Sequence, residues 1–182
     1  MWIDRVTVLA PLALLTTSAH ATDYLTLLEA QKVLFPDATA FTPHPLSPTT
    51  EDLRLIGAHS SAPWSPRGWA AFVARKDGVR IGYVVRDAVI GKFQMIEYAV
   101  GFRPDGSITE VEILAYHEAY GGEVRTKAWR SQFAGKSADA TLEVGRDVKN
   151  ISGATLSCTH LTEGIKRLSI LAARMLLPER TP

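Results

Sequence analysis

In Lys76-Asp77-Gly78-Val79-Arg80-Ile81-Gly82-Tyr83-Val84-Val85 a tight turn is followed by an alternating strand. Asp-Gly is a hairpin signal, because both residues tolerate the left-handed backbone that a short reversal needs. Val79, Ile81, Tyr83 and Val85 then alternate against polar or small residues, the period of a pleated strand. The run before the turn, Trp69–Arg75, is the partner strand.

Gly91 and Lys92 interrupt the pattern downstream, and Gln94–Phe102 is the third candidate strand. Arg103-Pro104-Asp105-Gly106 is a second strong turn: Pro presets one dihedral and Gly supplies the left-handed one. Ser107–Tyr116 is the fourth strand, with Ile108, Val111, Ile113 and Ala115 roughly alternating. Turns this short demand antiparallel pairing, since a parallel neighbour needs a crossover of about a dozen residues or more. A helix, then a meander, then helices gives an α+β fold: an antiparallel sheet flanked by helices.

Upstream, Tyr24–Leu34 reads as a helix with Leu25, Leu28, Val33 and Leu34 on one side, stopped by Pro36. Ala38–Pro48 carries three prolines and is expected to be extended or loop. Thr50-Glu51-Asp52 looks like a capped start for a short helix, with Leu53 and Ile56 inward and Gly57 near its end. Ser60–Gly68, with two prolines and Trp64, reads as loop. Residues 1–21 have the form of an export signal: Arg5, an apolar run from Val6 to Leu15, and Ala19-His20-Ala21 as a small-x-small cleavage pattern. Asp4 offsets Arg5, and an uncleaved anchor is the alternative. The division expected is 1–21 signal or anchor, 22–68 a helical and loop segment packed on the domain, and 69–178 the main domain.

With 182 residues, 46% hydrophobic and 21% charged, the chain can build one domain with a sizeable core. A net charge of +1 offers no electrostatic case for nucleic acid. Cys158 is the single cysteine, which excludes an intramolecular disulfide, a cysteine-based zinc site and paired-cysteine haem attachment.

Downstream, Val124–Phe133 is expected to be a helix, with Trp129 beside its apolar positions. Leu156–Leu177 carries Leu161, Ile165, Leu168, Leu171 or Ala172, and Met175 at helical spacing. Gly164 inside it costs about 1 kcal/mol relative to Ala, which packing must offset. Just before this helix stands Asn150-Ile151-Ser152-Gly153-Ala154-Thr155-Leu156-Ser157. Ser152 is a good N-cap, and small residues leave the first turn's amides uncovered. Such a terminus is either a plain capped start or an anion site, with the Thr155 hydroxyl beside the anion.

Ser152-Gly153-Ala154-Thr155 followed by Leu156-Ser157 resembles the flavinylation motif of the FMN-binding domain family. Members of that family occur as one component of the sodium-translocating NADH:quinone reductase and one component of the Rnf-type electron transport complex. Gly78-Val79-Arg80-Ile81-Gly82-Tyr83 and Asp105-Gly106-Ser107-Ile108 resemble its hairpin and sheet turn, so the likeness runs over about residues 70 to 176. His117 and Glu118 with a following glycine resemble its segment near the flavin, with Ala119-Tyr120 in place of Thr-Pro. Trp129 and Phe133-Ala134-Gly135 are similar to its Trp and Phe-x-Gly. The family's acidic residue shortly before the Ser is absent: Asn150 and Ile151 precede Ser152, and Asp147 is further back.

The resemblance implies FMN attached to Thr155 by a phosphoester, made by a separate flavin transferase. It implies FMN contact by Ser152, Gly153, Ala154, Leu156, Ser157, Glu118, Tyr120, Gly121 and Trp129. It also implies membrane or periplasmic redox proteins as electron donor and acceptor. The resulting expectation is an electron carrier outside the cytoplasm, periplasmic, free or held at the membrane. No residue of the chain need act as acid or nucleophile in the transfer. Two alternatives stand beside it. One is a small flavin reductase with its own substrate, using His117 and Glu118. The other is a module that binds flavin or phosphate without a covalent bond. Adjacent residues at a strand end point to opposite faces, so His117 and Glu118 are not expected to converge. His44, His59 and His160 read as surface or satisfied polar residues, and Cys158 as a small buried one.

Overall fold

The computed structural model describes residues 22–61 and 68–177. The expected export signal, Trp64 with most of its loop, and Pro178 lie outside the described residues. The elements in chain order are β1 (Thr22–Asp23), α1 (Leu27–Leu34), β2 (Ala40–His44), α2 (Thr50–His59), β3 (Ala70–Lys76), β4 (Val79–Ile90), β5 (Met95–Phe102), β6 (Ile108–Tyr116), α3 (Lys127–Arg130) and α4 (Thr155–Met175).

The sheet runs β1-β6-β5-β4-β3-β2, every neighbouring pair antiparallel. The meander from β3 to β6 is the one expected from the turns, and the fold is α+β. The proline-rich stretch contributes β2 as an edge strand. An edge tolerates Pro43, since one side of the strand needs no ladder hydrogen bond.

Both faces of the sheet are covered. Tyr83, Val85, Val89, Tyr98 and Val100 pack with α4 residues Leu161, Ile165, Leu168 and Leu171, and with Ile56 of α2. On the other face Val84, Ala99 and Leu114 pack with Ala30 and Leu34 of α1 and with Phe35. A simple in-out alternation for β4 is therefore insufficient: Val84 and Val85 are both fully buried.

Four local expectations are corrected. The helix α1 begins at Leu27 behind the Thr26–Glu29 capping box, and it buries Ala30, Gln31 and Leu34, leaving Leu28 and Val33 exposed. Its sheet-facing stripe is narrower than the leucine pattern implied. In α2 the cap is Thr49, paired with Asp52, and Ile56 points inward while Leu53 is exposed. The stretch 124–133 is not one helix. Thr126 takes an extended backbone and its hydroxyl accepts from the Trp129 amide, splitting the segment into a 3-10 turn at Gly122–Arg125, α3, and a 3-10 turn at Ser131–Phe133. Ser152 does not cap α4. Gly153 takes a φ of +81°, which extends the turn, and the helix starts one residue after Ala154 with no side-chain cap among the described residues.

Gly164 is explained by the packing. A Cβ there would run into the Tyr98 hydroxyl, with Val89 Cγ1 at 2.7 Å, so the glycine lets α4 lie close on the sheet.

Candidate functional site

The first hydrogen bond of the α4 ladder runs from the Cys158 amide to the Ala154 carbonyl, 2.9 Å. The amides of residues 155–157 lie ahead of that ladder, at the positive end of a 21-residue helix. Ala154 and Ser157 are buried, while Thr155 and Leu156 face outward. The helix start is thus anchored by its small residues and presents Thr155 at the surface. The Asn150 carboxamide donates to Thr155 Oγ1 at 3.1 Å.

The lead-in to the motif is held from the other side. The Trp129 indole N–H donates to the Lys149 carbonyl at 2.8 Å, and the Lys149 amide donates to Gln132 Oε1 at 2.7 Å. Trp129 stands edge-on to Phe133, ring centres 5.1 Å apart. Asp147 accepts from the Leu142 and Glu143 amides and from Lys136. Burial pushes its carboxyl up, but Lys136 and these amides outweigh that and hold it below the usual range.

A cavity of about 350 Å³ opens over Thr155. Its walls are Lys92 and Phe93 on one turn, Glu118–Tyr120 on a second segment, and Gly153–Ser157 on the helix start. The rim is apolar and open: Phe93 is 71% exposed, Tyr120 83% and Leu156 46%. A larger, more polar recess of about 600 Å³ lies beside the end of α2, and no residue of the 152–157 motif lines it.

Of the residues singled out from sequence, Gly153, Ala154, Thr155, Leu156, Ser157, Glu118 and Tyr120 come together at this cavity. Ser152 sits in the exposed turn leading to it. Gly121 does not line it and packs behind the helix start, where a Cβ would lie 2.5 Å from Ala154 Cβ. Trp129 does not line it and instead holds Lys149 in place. Lys92 and Phe93 were missed by the sequence reading, which took this stretch only as a break between strands. The available signal was an aromatic and a lysine side by side in a tight reversal, where no core is at hand.

His117 and Glu118 diverge. The β5–β6 register skips a residue at Leu114, so Leu114 turns to the α1 face and Tyr116 to the α4 face. His117 then lines a recess with Leu25, Arg86 and Glu97 on the α1 side, and Glu118 lines the Thr155 cavity. Cys158 is fully buried one turn into α4, and burial pushes its thiol up.

Residues 91–169 match the family model described as the FMN-binding domain. This stretch is similar to an FMN-binding domain. It begins at the turn before Lys92 and runs past the Thr155 cavity well into α4. The chain is also similar to one of the subunits of the proton-translocating ferredoxin:NAD(+) oxidoreductase complex of Clostridium ljungdahlii, 32% identical over 103 residues. That match covers 52% of this chain and 55% of the relative, so the chain spans about half the length of the curated relative it matches. A crystal structure of NqrC from Shewanella oneidensis aligns over 78% of this chain and 80% of its own, at 20% identity and a TM-score of 0.46.

The residues at the cavity suit FMN. Its volume lies in the range typical of small-molecule sites, about 300–1,000 Å³. An apolar rim suits a planar ring, and a hydroxyl beside unpaired helix amides suits a phosphate.

Proposed function

We propose that this chain is an electron-transfer flavoprotein working outside the cytoplasm, with FMN joined by a phosphoester to Thr155 Oγ1. The observation that carries the reading is the placement of Thr155. It is an exposed hydroxyl on the first residue of α4, at the edge of an apolar-rimmed cavity, inside the FMN-binding domain.

Bound FMN accepts one or two electrons, which lets it link unlike donors and acceptors. The chain's own residues attach, orient and shield. The amides ahead of the α4 ladder face the place a phosphate on Thr155 would take, and the helix dipole favours its charge. Asn150 donates to the Thr155 oxygen and can keep donating once that oxygen bears phosphorus, so it sets the direction in which the linkage leaves the helix. The open rim leaves a ring edge accessible to a redox partner. A covalent bond keeps the flavin with the protein outside the cytoplasm, where a released cofactor would be lost.

A flavin transferase supplies the attachment reaction, and redox proteins of the membrane or periplasm supply and take electrons. The relative from Clostridium ljungdahlii is named as a component of an oxidoreductase complex, which supports a role among redox partners. A reductase with its own substrate is less well supported: Glu118 is engaged by two backbone amides and His117 lies on the far side of the segment.

The test is the intact mass of denatured, washed protein co-expressed with a flavin transferase, beside Thr155→Ala. Wild type is expected to gain the mass of FMN less one water, and Thr155→Ala to gain none. Unmodified wild-type protein beside an active transferase would sink the covalent reading, and flavin released on denaturation would point to a reversible site.

A further inference from the structure

The turn that carries Lys92 and Phe93 is fastened from both sides. Its own reversal is closed by the Gly91 amide donating to the Gln94 carbonyl at 2.7 Å. Glu118 Oε1 accepts from the Phe93 amide at 2.6 Å and from the Gln94 amide at 2.9 Å. His160 Nδ1 lies 2.7 Å from the Ile90 carbonyl and 3.2 Å from the Gly91 carbonyl. Both carbonyls only accept, so Nδ1 carries the proton. Gly91 completes the fit: a Cβ there would sit 2.5 Å from Glu118 Oε1.

These contacts use one side chain from each of the other two walls of the cavity. Glu118 belongs to the segment after β6, and His160 to the first turns of α4, five residues beyond Thr155. Two amides on one carboxylate oxygen form a charge-assisted pair. The turn is therefore rigidly placed, yet its tip is not buried in any core. Phe93 is 71% exposed with the Lys92 ammonium 4.9 Å from its ring centre. Fixing a backbone while leaving a large aromatic in water is unfavourable for a bare protein, and a planar ligand would cover the ring.

We propose that Phe93 is the stacking wall for the flavin ring, and that Glu118 and His160 are positioning residues that hold the 90–94 turn over Thr155. This rests on the FMN reading above. It assigns Glu118 to the turn's backbone rather than to the flavin itself. A carboxylate held there by two amides is also kept from facing the electron-rich edge of a reduced flavin.

The test uses FMN-loaded full-length protein and reads flavin emission per bound FMN. A tryptophan in contact with a flavin quenches it by electron donation, and phenylalanine does not. Phe93→Trp is expected to lower the emission several-fold with the unfolding midpoint unchanged. Adding Glu118→Ala to Phe93→Trp is expected to restore most of the emission, because the turn loses its amide anchor. Adding Glu118→Gln instead is expected to leave it quenched, since the amide oxygen still accepts from both N–H groups. Emission from Phe93→Trp equal to that of wild type would overturn the stacking assignment, with FMN binding itself intact. Emission that stays quenched with Glu118→Ala would overturn the positioning role. Wild-type protein that takes up no FMN in either linkage would overturn both this inference and the reading beneath it.

Discussion

Gly121 and Ala154 meet at the base of the site, and that contact is decided by single atoms. Gly121 has a φ of +82°, and a Cβ on it would lie 2.5 Å from Ala154 Cβ and 2.9 Å from the Tyr116 hydroxyl. Gly153 has a similar φ, +81°, but open space where its Cβ would stand. The two glycines thus separate backbone strain from close packing. Gly153→Ala is expected to cost about 1–2 kcal/mol, the ordinary left-handed penalty. Gly121→Ala adds overpacking of about 1–3 kcal/mol to the same penalty and pushes the 118–121 segment off the helix start. Urea unfolding of the two variants should show the larger loss for Gly121→Ala, and FMN incorporation by intact mass should fall with it. Equal stabilities would mean that the Gly121–Ala154 contact does not hold the site together. The family resemblance implied FMN contact for Gly121. Its role as a seat for Ala154 depends on the fold bringing distant residues into contact, which spacing along the chain does not reveal.

At the scale of elements, the boundaries legible in the chain were those with local chemistry behind them. Asp77-Gly78 and Pro104-Asp105-Gly106 set the turns because their dihedral preferences are intrinsic. The helix α4 was readable from its apolar period. The misread boundaries, Ser152 as a cap and 124–133 as one helix, turned on which of several capable residues is used. Thr126 and Ser152 are both good caps, and only the first is one. The join between α2 and α4 likewise rests on one acid with two duties. Asp52 closes the α2 capping box with Thr49, and Arg174 Nε donates to its other oxygen at 2.8 Å. The Arg174 hydrogen bond, followed by those from Thr49, lowers its pKa to about 2. A carboxyl depressed in the folded state stabilises the protein above its ordinary value and loses that contribution as pH falls through the folded value. Stability should therefore fall between the usual aspartate range near 3.9 and about 2. Asp52→Asn should be less stable than wild type at neutral pH, and the two unfolding curves should converge as pH approaches 2. A constant gap down to pH 2 would show that Asp52 does not titrate against Arg174.

Across the whole molecule, the sheet is a central layer with α1 on one face and α4 on the other, and its strands are read differently by the two faces. The alternation in Val79–Val85 pointed to one buried side. The second buried side was hidden because Val84, Ala99 and Leu114 are small or ordinary strand residues, and the leucine pattern of α1 is broader than the stripe that meets the sheet, with Leu34 inside and Leu28 and Val33 exposed. Within this frame the site sits at one end of α4, so its geometry depends on how α4 is fixed to the sheet. At the middle of that interface lies a charged pair the sequence reading did not foresee. Arg167 Nη2 donates to Asp87 Oδ2 at 2.7 Å, with both side chains fully buried. The Tyr98 hydroxyl donates to the same oxygen at 2.9 Å. Burial, reinforced by Asp87, pushes the Tyr98 phenol well above its ordinary range, so it stays a donor throughout physiological pH. Seen from sequence, Arg167 lies outside the apolar period of α4 and Asp87 lies past the expected strand end at Val85, each a typical surface choice by itself. Removing one partner leaves the other charged and dry, which costs about 3–5 kcal/mol, whereas replacing both can be nearly neutral. Arg167→Met should lose stability on that scale in urea. Asp87→Asn combined with Arg167→Met should recover more than half of the loss, since Asn keeps an acceptor for Tyr98 and leaves no buried charge. Losses in the double variant that simply add those of Asp87→Asn and Arg167→Met would mean that the two residues act independently and that no coupled pair holds the helix–sheet junction. That result would leave the close apolar packing at Gly164 against Val89 and Tyr98, rather than the buried charges, as what fixes α4 and the Thr155 site at its end against the sheet.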